Sequence, residues 1–369
     1  MKTLYNKLFL SISLLAFSPV FSQDPEPINV VTTATPFLRI SPDARAGGLG
    51  DQGISTSPDA SSQFYNVSKY AFARSQSGIG ATYTPWMRDL NLKDVYLATI
   101  AGYYKPDESQ SLSASLRYFS LGSIQFSDAM GNELNTGRPR EFSFDLGYSR
   151  KLSDKLALGM ALRYIYSNLA SGSSSGTNYK AGNAVAGDIG LYYTTVNETG
   201  QGFNIGAVLS NMGSRIAYTT DATQKNFIPA NLGLGAGHTW VTDGVHKISV
   251  NGEINKLLVP ALPNGNIDSA AYAKYASDGM VSSWAKSFGN KAMAYSLGAE
   301  YVYNEQFALR AGYYTDTRSL GKRNYFTVGA GFDYSMVGLN FSYLVPSGNG
   351  VNRNPLSNTI RIGFSLKFE

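Results

Sequence analysis

A two-residue alternation held over residues 357–369 restricts this chain more than any other feature. Ile360, Ile362, Phe364, Leu366 and Phe368 fall on one face, and Arg361, Gly363, Ser365, Lys367 and Glu369 on the other. A period of two belongs to a β-strand with one apolar and one polar face. Such a strand needs a neighbour for its backbone and an apolar medium for its outer face. A closed barrel in a lipid bilayer supplies both, because closure removes the unpaired edge. The last strand is therefore expected to pair with the first, with a transmembrane barrel between them.

Composition agrees. Aromatic residues make up 13% of the 369 and charged residues only 15%, and the 25 tyrosines outnumber the 3 tryptophans. That balance suits strands and interfacial girdles better than a helical core. No apolar run of about 20 residues follows the N-terminus, so helical spans are not expected. Residues 1–22 read as a secretory signal. Lys2 and Lys7 form the basic part, Leu8 to Phe17 the apolar part, and Val20-Phe21-Ser22 a cleavage site before Gln23. Losing Lys2 and Lys7 lowers the formal charge from +5 to +3, too mild a surplus to point to nucleic acid. The chain has no cysteine, hence no disulfide framework.

Residues 23–77 form an N-terminal tail and a glycine-rich segment associated with the barrel, and 78–369 the barrel itself. Prolines at 25, 27 and 36 make residues 23–37 an extended periplasmic tail, and glycines at 47, 48, 50 and 53 permit tight turns in the segment that follows. A short helix is expected over Asp59 to Tyr65, capped by Ser57 with Pro58 at its first position. From Gly78 onward fourteen strands are expected: 78–87, 94–104, 110–120, 140–150, 155–167, 183–196, 201–211, 227–241, 245–256, 291–303, 306–316, 324–335, 338–345 and 357–369. Leu156, Leu158, Met160, Leu162 and Tyr164 opposing Ala157, Gly159, Ala161 and Arg163 shows the pattern. Short connections with turn signals, such as Asp243-Gly244, alternate with long ones such as 121–139 and 257–290. Sorting by length is what periplasmic turns and extracellular loops require.

Two groups of residues are candidates for function. The connection 257–290 carries Tyr272, Tyr275, Met280, Trp284 and Phe288, an apolar series that serves either as a docking surface for a partner or as a lid over the barrel mouth. The lumen-facing positions carry Arg117, Arg163, Lys247, Arg310 and Arg361 against Asp145, Asp188, Glu253, Glu300 and Asp333. These balance either as a salt-bridged filling or as the lining of a polar conduit. Catalysis has little to draw on. His238 and His246 share the lipid-facing side with apolar neighbours, and no spacing suggests a nucleophile with its base or a metal site. No enzyme activity and no cofactor are expected.

The stretch Asp43-Ala44-Arg45-Ala46-Gly47-Gly48-Leu49-Gly50-Asp51, then Ser57-Pro58-Asp59-Ala60 and Phe64-Tyr65-Asn66, is similar to the N-terminal signature of the FadL-type fatty-acid-transporter barrels. That superfamily has fourteen strands and an N-terminal segment within the barrel. With Pro42 before it, then Ser68-Lys69-Tyr70-Ala71-Phe72 and Tyr83-Thr84-Pro85-Trp86, the stretch more closely resembles the PorV family, outer-membrane barrels of the Bacteroidetes type IX secretion system. The signature positions are Pro42, Asp43, Arg45, Gly47, Gly48, Gly50, Asp59, Tyr65 and Asn66. One departure stands out. The superfamily commonly has Asn-Pro-Ala here, whereas Asn66 is followed by Val67-Ser68. The resemblance implies a non-enzymatic role beside a translocon barrel of the SprA/Sov type. There the protein would receive cargo bearing a C-terminal signal domain and pass it to a PorU-like sortase in the attachment complex. Outer-membrane lipids would surround it. The alternatives are a superfamily transporter of hydrophobic small molecules and a general porin.

Overall fold

The computed structural model describes residues 30–127, 130–170, 172–174, 177–220, 225–262, 275, 277–347 and 356–369. Fourteen strands close into one antiparallel barrel. Numbered with the two loop ribbons in chain order, they are β1 (Ser77–Pro85), β2 (Val95–Asp107), β3 (Gln110–Leu121), β6 (Arg140–Lys151), β7 (Leu156–Asn168) and β10 (Gly182–Thr194). There follow β11 (Gly202–Gly213), β12 (Asn231–Thr242), β13 (His246–Leu257), β14 (Met293–Tyr303), β15 (Phe307–Asp316), β16 (Asn324–Tyr334), β17 (Val337–Leu344) and β18 (Ile360–Phe368). The seam joins β1 to β18, from Ser77 opposite Phe368 to Tyr83 opposite Ile362. Two short ribbons stand on the long-loop side, β4 (Ile124–Ser127) with β5 (Glu133–Gly137), and β8 (Gly172–Ser174) with β9 (Thr177–Tyr179).

Side chains alternate as the period demands. Leu146, Leu162, Ile205, Leu234, Leu297, Leu309 and Phe364 stand exposed on the outer face, while Ser143, Asp145, Ala157, Arg163 and Arg361 are buried inside. An exposed apolar belt on a closed barrel is stable only against lipid. Strand starts differ from expectation where the backbone cannot pair. The strand expected from 227 begins at Asn231, because Pro229 has no N–H to donate and residues 227–230 turn inward with Phe227, Ile228 and Ala230 buried. The last begins at Ile360, after Asn358 at φ 62° in the left-handed region.

Residues 30–76 occupy the lumen. The described part of the expected periplasmic tail, 30–37, lies instead at the long-loop end. There the Val31 N–H donates to the Ser319 carbonyl and the Ala34 N–H to that of Phe227. Phe37 is fully buried. The chain then descends through the barrel and leaves at the short-turn end, where the Lys105 N–H bonds the Gln76 carbonyl. The expected helix over 59–65 is replaced by 3-10 turns at Ser62–Phe64 and Val67–Phe72, preceded by a helical turn at Ala44–Gly47. Ser57 caps none of them. Its hydroxyl accepts from Arg45 Nη2 at 2.7 Å, and Asp59 takes the Ser61 N–H instead.

Wall glycines make room for this plug. A Cβ on Gly312 would lie 2.0 Å from the Gly50 nitrogen and 2.2 Å from the Leu49 carbonyl carbon, and one on Gly159 would lie 2.5 Å from the Ser68 nitrogen. These positions are small because backbone passes against them. Gly312→Val is therefore expected to displace the plug while leaving a closed barrel, at a cost of about 1–3 kcal/mol for overpacking. Limited proteolysis in detergent should then cut within residues 30–76. A similar substitution at Gly252, whose nearest neighbour would be 3.9 Å away, should not expose the plug, and equal protection of both variants would contradict this packing.

Candidate functional site: the plug and the long loops

The plug is bound to the wall through charges, and Arg45 is the centre of that bonding. Asp43 caps the turn Ala44–Gly47 by accepting from the Ala46 N–H at 3.0 Å, which aims the Arg45 side chain sideways into β14. Its Nε and Nη2 donate to the two oxygens of Glu300 at 3.1 and 2.8 Å, and Nη1 donates to Asp59 at 2.9 Å. Arg310 Nε meets the same Glu300 at 2.6 Å from β15. A two-pronged guanidinium–carboxylate contact between groups this buried fixes direction as well as distance. Gly47 lies against Arg361 and Ser342, leaving no space for a Cβ.

Nearer the long-loop end, Asp51 accepts from the Tyr325 hydroxyl at 2.6 Å and pairs with Arg361 at 3.1 Å. Glu253 on β13 receives the Gly53 and Ile54 N–H groups, each at 2.9 Å, and the Asn255 amide at 2.7 Å. Lys69 is buried and donates to the Gly53 carbonyl at 2.8 Å and the Thr56 hydroxyl at 3.0 Å. Tyr65 shares a hydrogen bond with Ser41 at 2.9 Å. Asn66 caps the turn Val67–Phe72 through its side-chain oxygen, and its amide donates to the Ile54 and Leu191 carbonyls. The turn thus forms without proline after Asn66, since the cap acts through Ser68, not Val67.

The other lumen charges find different partners. Arg163 joins Asp145 and Asp188, the latter at 2.9 Å, across β6, β7 and β10. Arg117 donates to the carbonyls of Phe37 and Leu38. Asp333 pairs with Lys367, and Lys247 with Glu305, both at the short-turn end, where Arg74 at the exit of the plug also lies 3.7 Å from Glu305. Charges expected to answer one another across an open lumen thus divide between adjacent strands and the plug. Arg45, Asp51 and Asp59, on the plug side of that network, were not distinguishable as ion-pair partners by period, because residues 30–76 have none.

In the connection 257–290, Tyr272 lies outside the described residues. A helix runs from Met280 to Lys286, followed by a 3-10 turn Ser287–Gly289. The apolar series splits. Tyr275 packs edge-on against Phe227 at 5.2 Å, within the cluster that covers Val31. Trp284 is half-buried, while Met280, Val281 and Phe288 are exposed, Val281 by 72% and Phe288 by 63%. Arg323 at the same end holds Asp316 at 2.7 Å. Burial works against its charge, but Tyr314 and Asp316 outweigh that and keep its pKa above the ordinary value. His238 sits between Phe203 and Trp240, tilted to the first and edge-on to the second, and His246 shares a hydrogen bond with Tyr301 at 2.8 Å, both near the short turn 243–245. Neither faces the plug carboxylates.

Comparison with known proteins fits this arrangement. The family model described as type IX secretion system protein PorV matches residues 22–264. The chain belongs to the PorV family. No curated protein sequence matches it. Among solved structures it is similar to the Ralstonia pickettii toluene transporter TbuX, with 11% identity, a TM-score of 0.55, and 89% of this chain and 98% of that one covered. It is also similar to the monoaromatic hydrocarbon channel CymD, with 12% identity, a TM-score of 0.53, and 89% and 97% covered. At such identities the likeness shows the fold. This PorV family member is an outer-membrane β-barrel.

Arg45→Met would leave half-buried Asp59 with only Lys69 near it and would strip one of the two cations from buried Glu300. Breaking such a pair from one side costs on the order of 3–5 kcal/mol, moderated here by Arg310. A fall in the thermal midpoint in detergent is expected, partly restored by adding Glu300→Gln. An unchanged midpoint in the single variant would show that the plug is not held through Arg45.

Proposed function

We propose that the chain acts as a non-enzymatic adaptor of type IX secretion. In this reading the barrel anchors it, the long loops engage a very large translocon barrel and cargo bearing a C-terminal signal domain, and cargo passes to a surface sortase. The observation that carries this reading is the match to the PorV family over 22–264. The plug supports it, because charged and polar side chains fix residues 41–66 to the wall. The cavity left beside the plug is about 150 Å³ and is lined by Arg117, Arg163, Asn211 and Glu253 among others. A route for hydrophobic molecules would want a larger, mostly apolar pocket. The transporter reading therefore keeps only its likeness of fold.

Contact with partners falls on Met280, Val281 and Phe288, exposed on a short helix and its following turn. Large apolar side chains dominate interface energetics when they seat in a partner's pocket. Copurification from solubilised outer membranes tests the reading. The expected companions are a very large barrel protein, a surface protease, or exported proteins sharing one C-terminal domain. A clean monomer carrying hydrophobic small molecules would replace the adaptor with the transporter. Alanine at Val281 and Phe288 together should lower recovery of those companions roughly tenfold, about 1.4 kcal/mol, with the barrel's heat-modifiable mobility unchanged.

A further inference from the structure

The cavity beside the plug has more cationic than anionic groups on its wall, and two of its cations lack a carboxylate. Arg39, Arg117, Arg163 and Arg323 line it, against Asp51 and Glu253. Arg163 is matched by Asp145 and Asp188, and Arg323 by Asp316. Both acids are committed as well, Asp51 to Arg361 and Tyr325, and Glu253 to the Gly53 and Ile54 N–H groups. Arg39 and Arg117 remain.

Arg117 is only 3% exposed. Its Nη1 donates to the carbonyls of Phe37 and Leu38, its guanidinium lies 5.0 Å from the centre of the Phe64 ring, and its Nε is buried without an acceptor. Among the described residues no carboxylate comes within 4.0 Å of it. Arg39, one residue beyond the carbonyl of Leu38, is exposed and has no ion pair within that distance among the described residues. A buried guanidinium without a counter-charge is costly. An oxyanion removes that cost and matches the planar donor fork.

We propose that this cavity is an oxyanion site, in which Arg39 and Arg117 hold a phosphate, sulfate or carboxylate between the plug and the long-loop end of the wall. Leu38, Phe64 and Val208 are among the apolar residues of the lining, so the anion comes either free in solution or as the head of a small organic acid with a short apolar tail. The proposal is independent of the adaptor reading and of any partner.

The test is calorimetric titration of the full chain in a non-ionic detergent, with inorganic phosphate and butyrate as probes at constant ionic strength and sodium chloride as the reference. Saturable heat with phosphate points to the free oxyanion, and saturable heat with butyrate alone to the organic acid. Either result supports the site. Arg39→Gln, which breaks no side-chain hydrogen bond among the described residues, should weaken binding at least tenfold. Arg117→Lys, which keeps the charge but loses the fork, should weaken it as well, and Lys155→Gln, an exposed charge in the short turn between β6 and β7 at the opposite end of the barrel, should not. Heats no different from chloride, or equal affinity in wild type and Arg39→Gln, would overturn the proposal even if Arg117→Lys does not fold.

Discussion

Closing fourteen strands creates an interior that lipid cannot reach, and everything inside must satisfy its polar groups there. Arg45 shows how the chain meets that demand. One guanidinium spans Glu300 on the wall and Asp59 on the plug, and Arg310 completes the charge on Glu300. Removing charge on one side leaves the other buried and unmatched, so plug and wall depend on each other. Glu253 and Asp51 repeat the arrangement nearer the long-loop end, with backbone N–H groups and a tyrosine hydroxyl in place of some cations. The lumen is thus filled by a polar interface, packed against glycines that admit backbone.

Much of the barrel could be read from period alone. Strands such as β7 and β18 alternate so regularly that their faces follow directly, and Leu162 and Ile362 are exposed where the alternation puts them. Register and seam follow from the same period once the sheet must close. Phe227 and Pro229 show where the method fails. An apolar run looks like a strand until proline removes a donor and the side chains turn into the interior.

The plug was far less legible. Residues 30–76 have no period, because their course follows the shape of the lumen and not a repeating ladder. Asp59 and Asn66 are typical cap residues, but only Asn66 caps a helical turn; Asp59 closes a local turn onto the Ser61 N–H, and the Ser57 hydroxyl accepts from Arg45. The charges of the lumen could be placed on the inner face, though not paired, since Arg117 and Glu253 answer the backbone of the plug and not one another. Tyr275 and Phe288 sit in the same connection and went opposite ways, one onto Phe227 and the other into solvent. Composition has no means of separating them.

The direction of the plug has a consequence for biogenesis. Its described start, at Val30, lies at the long-loop end, and β1 begins at the opposite end with Ser77. The segment between them runs through a ring closed by β1 against β18. A ring that closed first would require the upstream chain to be threaded outward through it, past Arg45 and Glu300. Closing the seam around a segment already laid against the wall requires no threading. On this topology the first and last strands join most simply after the plug is in place.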